Sequence, residues 1–323
     1  MSHRQLRIGA VQLECRVGQG EHNRAHAAAL VRRAAAGGAQ LVVLPELSSS
    51  GYTVSGKPWR LAEAGEGPTL RWLEATARAH GVYLGAGYVE RDGADFYNCW
   101  ALVDPQGQLL GRARKTYTEF RRFAPGAPAT HVIATPLGTL GVGICADNQH
   151  TGFLELMRRE HVDLVLMPHA WPLPWHTSLI VSGADLKRAA AECDGLAQLY
   201  ARRLGVPAVM VNQVGPLEER WEGLLGRLFD PATYRFGGHS SIADAGGRVL
   251  CRLGADEGVM IADVHLDPSR RVTAPREDHL GYLTPAKGAA LFRHLLGPAG
   301  QLASRVRYAL SRERRHAALH PDR

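Results

Sequence analysis

A chain of 323 residues, 45% of them hydrophobic, is long enough to bury one substantial core or two small ones, which makes a folded globular protein the default. Mean hydropathy is slightly negative at −0.17, and no run approaches the roughly 18 consecutive apolar residues of a membrane helix. The net charge of +7 is confined to the stretch from Pro268 to Arg323, where 11 Lys and Arg face 4 Asp and Glu, so it reads as a solvated or subunit-contacting tail and not as a nucleic-acid surface.

In chain order, residues 1–14 read as a charged start running into a strand at 6–13, without the apolar stretch of a secretory signal. An Ala-rich helix at 23–36 ends at Gly37-Gly38, and Leu41-Val42-Val43-Leu44 is a short, wholly apolar strand stopped by Pro45. A helix at 68–80 closes on Gly81, followed by strands at 82–90, 98–103 and 109–114, the last two flanking the turn Asp104-Pro105-Gln106-Gly107. Further strands are predicted at 139–144, 163–167, 207–212, 240–244, 248–253 and 259–264, with helices at 153–160 and 185–204. The exchange of strands and helices predicts an α/β domain with mixed sheets over residues 1–267, and 268–323 reads as a basic extension, helical and subunit-contacting.

Five scattered cysteines, Cys15, Cys99, Cys145, Cys193 and Cys251, form no CxxC pair and are odd in number. A disulfide framework is not expected, and a reducing compartment, the cytoplasm, is. The 15 histidines show no paired-ligand spacing, and His161, Asp163 and His169 lie along a mostly apolar stretch, so no metal is expected.

Open α/β sheets place ligands at the carboxyl ends of their strands, and three predicted ends carry reactive groups. Glu46 follows the apolar strand and Pro45, as a general base would. Cys145 follows Leu140-Gly141-Val142-Gly143-Ile144 at a strand-to-helix turn, where backbone N–H groups could meet an oxyanion. Lys115 ends the strand 109–114 and could stabilise developing negative charge. Taken singly, Glu46 also fits a solvated loop carboxylate, Cys145 a buried structural thiol and Lys115 a surface residue.

Together the three resemble the signature of the carbon-nitrogen hydrolase (nitrilase-like) family. Leu44-Pro45-Glu46-Leu47 resembles its base motif, Arg114-Lys115-Thr116-Tyr117 its lysine motif and Gly143-Ile144-Cys145-Ala146-Asp147 its nucleophile motif. Residues 153–158, Pro168-His169-Ala170-Trp171, Asn212-Gln213-Val214-Gly215 and Gly238-His239-Ser240-Ser241 resemble its later marks. Glu119, four residues before Phe123, is similar in place to its second glutamate. The resemblance implies a four-layer αββα sandwich, assembly into dimers or larger homo-oligomers, and hydrolysis of a small-molecule carbon-nitrogen bond through a cysteine thioester without cofactor. It assigns catalysis to Glu46, Lys115, Cys145 and Glu119, with Lys115 and the Ala146 N–H holding the oxyanion. His150, His169, Trp171, Trp175 and His176, which follow strand ends, become candidate substrate contacts. Ala146 stands where many relatives carry Tyr or Trp, and true nitrilases commonly show Cys-Trp-Glu, so Cys145-Ala146-Asp147 leans toward an amide or N-carbamoyl substrate. Nitrile hydrolysis, acyl transfer to an amine and a non-catalytic binding role are the alternatives.

Overall fold

The computed structural model describes residues 4–53, 58–118, 122–178, 181–219, 231–272, 283, 306 and 308–319. Its first half holds β1 (Arg4–Gln12), α1 (Gly20–Ala36), β2 (Leu41–Val43), β3 (Glu63–Ala64), α2 (Pro68–His80), β4 (Tyr83–Asp92), β5 (Asp95–Val103) and β6 (Leu109–Arg114). Next come β7 (Val132–Thr135), β8 (Gly138–Val142), α3 (Thr151–Arg159), β9 (Leu164–Pro168), β10 (Pro172–Pro174), α4 (Gly183–Leu204) and β11 (Ala208–Val211). The remainder are β12 (Val214–Pro216), β13 (Tyr234–Gly237), β14 (Ser241–Ala243), β15 (Val249–Arg252), β16 (Gly258–Leu266) and α5 (Arg312–Leu319).

Two large sheets result. One has the order β16-β1-β2-β4-β5-β6, with β3 added to β4, and the other β15-β14-β11-β9-β8-β7. Pairings at their centres are parallel and those toward their edges antiparallel, as in β1 with β2 and β1 with β16. Alternation along each strand sorts most apolar side chains into three large cores. Leu6, Ile8, Leu41, Val43 and Trp100 from the first sheet meet Val142, Leu164, Leu166 and Val209 from the second in the seam between sheets. Val42, Leu44 and Val11 instead pack beneath α1 and α2, and Val165, Met167 and Met210 beneath α3 and α4. The layers are therefore helix, sheet, sheet, helix, the αββα sandwich, and β2 is buried on both faces because every one of its residues is apolar.

Most predicted elements are present with shifted ends. The strand expected at 98–103 begins earlier, at Asp95, because Gly93-Ala94 makes a tight hairpin from β4, with Gly93 left-handed at φ 58°. The helix expected at 185–204 starts at Gly183, where the Ser182 hydroxyl accepts from the Asp185 N–H. A small third sheet, β10-β13-β12, was not foreseen; Pro172 and Pro174 in its edge strand disguise it. In the basic extension, α5 is helical, and Ala317 and Ala318 pack against Leu47, Val89, Phe96 and Phe123 of the same chain. The Tyr308 hydroxyl accepts from the Phe96 N–H at 2.8 Å, and Arg314 donates to Ala94 O at 2.7 Å. Most of 273–305 lies outside the described residues.

The turn after β2 lies flat on β4. A Cβ on Gly87 would stand 2.2 Å from the Leu47 nitrogen, so only glycine admits the turn there. Gly87→Ala should lower the unfolding free energy by about 1–3 kcal/mol, read from urea denaturation. An unchanged midpoint would mean that the turn does not rest on β4.

Candidate active site

Glu46 is reached from β2 through Leu44 and Pro45, and Leu47 behind it adopts a left-handed φ of 46°. That sharp turn aims the carboxylate into the protein, where it has no solvent exposure. Its Oε1 accepts from Lys115 Nζ and from Asn98 Nδ2, each at 2.7 Å, and its Oε2 from the Ala170 N–H at 2.7 Å. Gln213 Nε2 donates to the Glu46 carbonyl at 2.7 Å, fixing the turn itself. A carboxylate offers about four acceptor positions, so among the described residues these three partners leave one, on Oε2.

Lys115 follows the last residue of β6 and is wholly buried with its partner. Its backbone N–H donates to Asn98 O at 2.9 Å, so β5 supplies both the main-chain anchor of the lysine and a side-chain donor to the carboxylate. Asn98 lies in the same phase of β5 as Phe96, Trp100 and Leu102, all of them buried.

Cys145 stands on the second sheet, just past β8, at the start of a short 3₁₀ turn, Cys145–Gln149. It is 7% exposed and has φ 49°, a conformation that costs an L-residue energy and marks a position held in place by its surroundings. Asp147 joins this turn to the lysine segment. Its Oδ1 accepts from the N–H groups of Thr116 and Tyr117 at 3.1 and 2.8 Å, and its Oδ2 from the Ile144 N–H at 3.1 Å. One buried carboxylate thus grips the residue before Cys145 and the two after Lys115. Burial pushes the Asp147 carboxyl above its usual range, against the charges of His131 and Lys115 and the N–H groups it accepts from.

The other expected residues are placed unequally. Ala146 follows Cys145 in the turn. His150 is buried and its ring lies flat on Tyr117, centroids 3.6 Å apart and planes within 5°, so the Lys115 and Cys145 segments also meet through an aromatic pair. His169 is wholly buried beside Asn148, with its Nε2 3.1 Å from Asn148 Nδ2. Trp171 stacks near it at 5.6 Å between ring centres. Trp175 is 45% exposed beneath the Arg235 guanidinium, and His176 is exposed. Glu119 lies outside the described residues. Asn98 and Asn148 are site residues that the sequence did not single out, and Asp147 stood there only as part of the nucleophile motif. The available signal for Asn98 was a polar side chain in the inward phase of an apolar strand, which must find a partner there. Among the described residues, no three His, Cys, Asp or Glu side chains are grouped to hold a metal ion. No described helix is long and apolar enough to cross a membrane.

Residues 7–273 match the family described as carbon-nitrogen hydrolase. The chain is similar to the omega-amidase NIT2 of Danio rerio, 28% identical over 277 residues that span 81% of this chain and 88% of that one. It is also similar to the 2-oxoglutaramate amidase of Bacillus subtilis, 26% identical over 244 residues, 72% of this chain and 81% of the other. Its fold is similar to that of a carbon-nitrogen hydrolase from Helicobacter pylori G27, with a TM-score of 0.67 at 21% identity, covering 83% of this chain and 91% of that structure.

Burial pulls the His150 ring down to about 4, and burial together with the Lys115 charge pulls His169 down to about 3. An unfolded histidine takes up its proton near 6.5, so below that pH the unfolded chain binds more protons than the native one. Native stability is therefore complete above about 6.5 and falls on acidification, by about 2 kcal/mol per ring between about pH 7 and pH 5. Urea unfolding at the two pH values should show this loss, reduced by one ring's share in His169→Gln. An equal pH slope in both proteins would contradict it.

Proposed function

The chain belongs to the carbon-nitrogen hydrolase family, and from that membership we propose that Cys145 is the nucleophile, Glu46 the general base and Lys115 the charge-stabilising group of its reaction. The enzyme is of the amidase type and acts on a small-molecule substrate. The observation that carries the residue roles is the buried Glu46 carboxylate, held by three donors with a fourth acceptor position left on Oε2. A base needs that arrangement: fixed in direction, shielded from water, and with one lone pair to receive a proton.

In the proposed cycle, Glu46 accepts the Cys145 thiol proton as Sγ attacks the carbonyl carbon of an amide or N-carbamoyl group. The Lys115 ammonium and the Ala146 N–H stabilise the tetrahedral oxyanion. As the intermediate collapses, the carbon-nitrogen bond breaks and the proton held by Glu46 passes to the departing ammonia or amine. Water then attacks the thioester with Glu46 taking its proton, the acid product leaves, and the thiol is regenerated. Glu119 helps orient substrate and lysine, and His150 and Trp171 line the pocket near the reacting carbon. An amide or N-carbamoyl group is favoured over a nitrile by Ala146 and Asp147 after the nucleophile. The enzyme works in the cytoplasm as a homo-oligomer; five cysteines without a disulfide among them and the basic extension support this reading.

Turnover of short amides, N-carbamoyl amino acids, acylated amines and nitriles by the native chain and by Cys145→Ala tests the proposal. Hydrolysis of an amide or N-carbamoyl compound should fall by at least about a thousandfold in the variant. Unchanged hydrolysis by Cys145→Ala would remove the cysteine from the mechanism, and turnover of nitriles alone would overturn the substrate class. The same native preparation should sediment as a dimer or larger, and a monomer would contradict the assembly.

A further inference from the structure

Behind the nucleophile turn lies a buried polar pair that the cycle above does not use. Asn148 Nδ2 donates to Gly143 O at 2.6 Å and stands 3.1 Å from His169 Nε2. The contacts fix the amide orientation, because an oxygen at that position would face the Gly143 carbonyl oxygen at the same 2.6 Å. The second hydrogen of the amide therefore points to His169 Nε2, which must be an unprotonated acceptor, and the ring proton sits on Nδ1. The turn is tight here: a Cβ on Gly143 would lie 2.0 Å from Asn148 Oδ1. The Asn148 carbonyl is held in turn by the Tyr200 hydroxyl of α4 at 3.0 Å.

His169 belongs to the helix side of the second sheet. In β9, Leu164 and Leu166 enter the seam between sheets, whereas Val165 and Met167 enter the core beneath α3 and α4. Alternation past the strand end groups His169 with Val165 and Met167. The ring is wholly buried, and among the described residues its Nδ1 has no hydrogen-bond partner. An apolar residue of similar size would fill the space without stranding a donor, so the reason for a histidine lies in what Nε2 does.

We propose that His169 is a positioning residue for Cys145. Its Nε2 holds the Asn148 amide, the amide holds the carbonyl of Gly143, and this brace keeps the left-handed nucleophile turn aimed at Glu46. The inference rests on the reading of Cys145 as nucleophile. The depressed basicity of His169 keeps the ring an acceptor across the whole neutral range.

Two substitutions in the full chain separate this role from simple packing: His169→Gln keeps an acceptor within reach of the amide, and His169→Leu removes it. The readouts are the alkylation rate of Cys145 by iodoacetamide, followed on its own peptide, and kcat and KM on the best amide. His169→Leu should lose about ten- to a hundredfold in alkylation rate and in kcat, with KM within about twofold, and His169→Gln should recover most of both. Native alkylation and kcat in the Leu variant would overturn the proposal, as would a loss confined to KM, which would make His169 a substrate contact. Should the Leu variant fail to fold, nitrogen NMR of the histidine-labelled native chain decides: a neutral ring protonated on Nδ1 is required, and a proton on Nε2 refutes it. Alkylation needs no substrate, so lack of turnover by the native chain would count against the proposed reaction and leave this test intact.

Discussion

A lysine ammonium and a glutamate carboxylate, both without solvent exposure, meet at 2.7 Å where the strands of the first sheet end. Removing two such charges from water costs several kcal/mol per ion, and their attraction offsets this only when the remaining polar valences are also met. That requirement accounts for much of the local structure. Asn98 and the Ala170 N–H fill two further acceptor positions of the carboxylate, Gln213 pins its backbone, and Gly87 lets the turn lie against the sheet. Replacing the pair by apolar residues would often be neutral for stability. Its presence in a core otherwise rich in Val and Leu is best understood through the chemistry proposed for it.

The site also depends on the sandwich as a whole. Glu46 and Lys115 leave the first sheet, at the ends of β2 and β6, whereas Cys145 leaves the second, after β8. Their approach requires the two sheets to pack face to face across the seam, and Asp147 then locks the arrangement by bonding segments from both. Donors from β5, from the segment after β6 and from the segment after β9 converge on one carboxylate, and a donor from the segment after β11 holds the Glu46 main-chain carbonyl. The site is a product of tertiary packing, with each element contributing one or two groups.

Much of this was legible in the sequence where a local pattern carried the information. The uninterrupted Leu41-Val42-Val43-Leu44 followed by Pro45 marks a doubly buried strand and its end, and the glycines before Cys145 mark a turn that needs close backbone approach. Less was legible where the partner is distant. Asn98 lies 52 residues from the carboxylate it supports, and no periodicity links them. The β10-β13-β12 sheet is hidden because prolines at a sheet edge mimic a loop. The brace of Asn148 and His169 depends on two side chains 21 residues apart that meet only after β8 and β9 pair. Their types alone, an amide in a turn and a histidine after an apolar strand, are equally at home in solvent.

In the proposed cycle the carbon-nitrogen bond is broken by forming a thioester on Cys145. Rapid acid quenching during turnover of a good amide, followed by peptide mass spectrometry, tests it directly. An acyl group is expected on the peptide carrying Cys145 and none on the peptides of Cys15, Cys99, Cys193 or Cys251. Steady turnover with no acylated Cys145 at any quench time, or an acyl group on another residue, would contradict it.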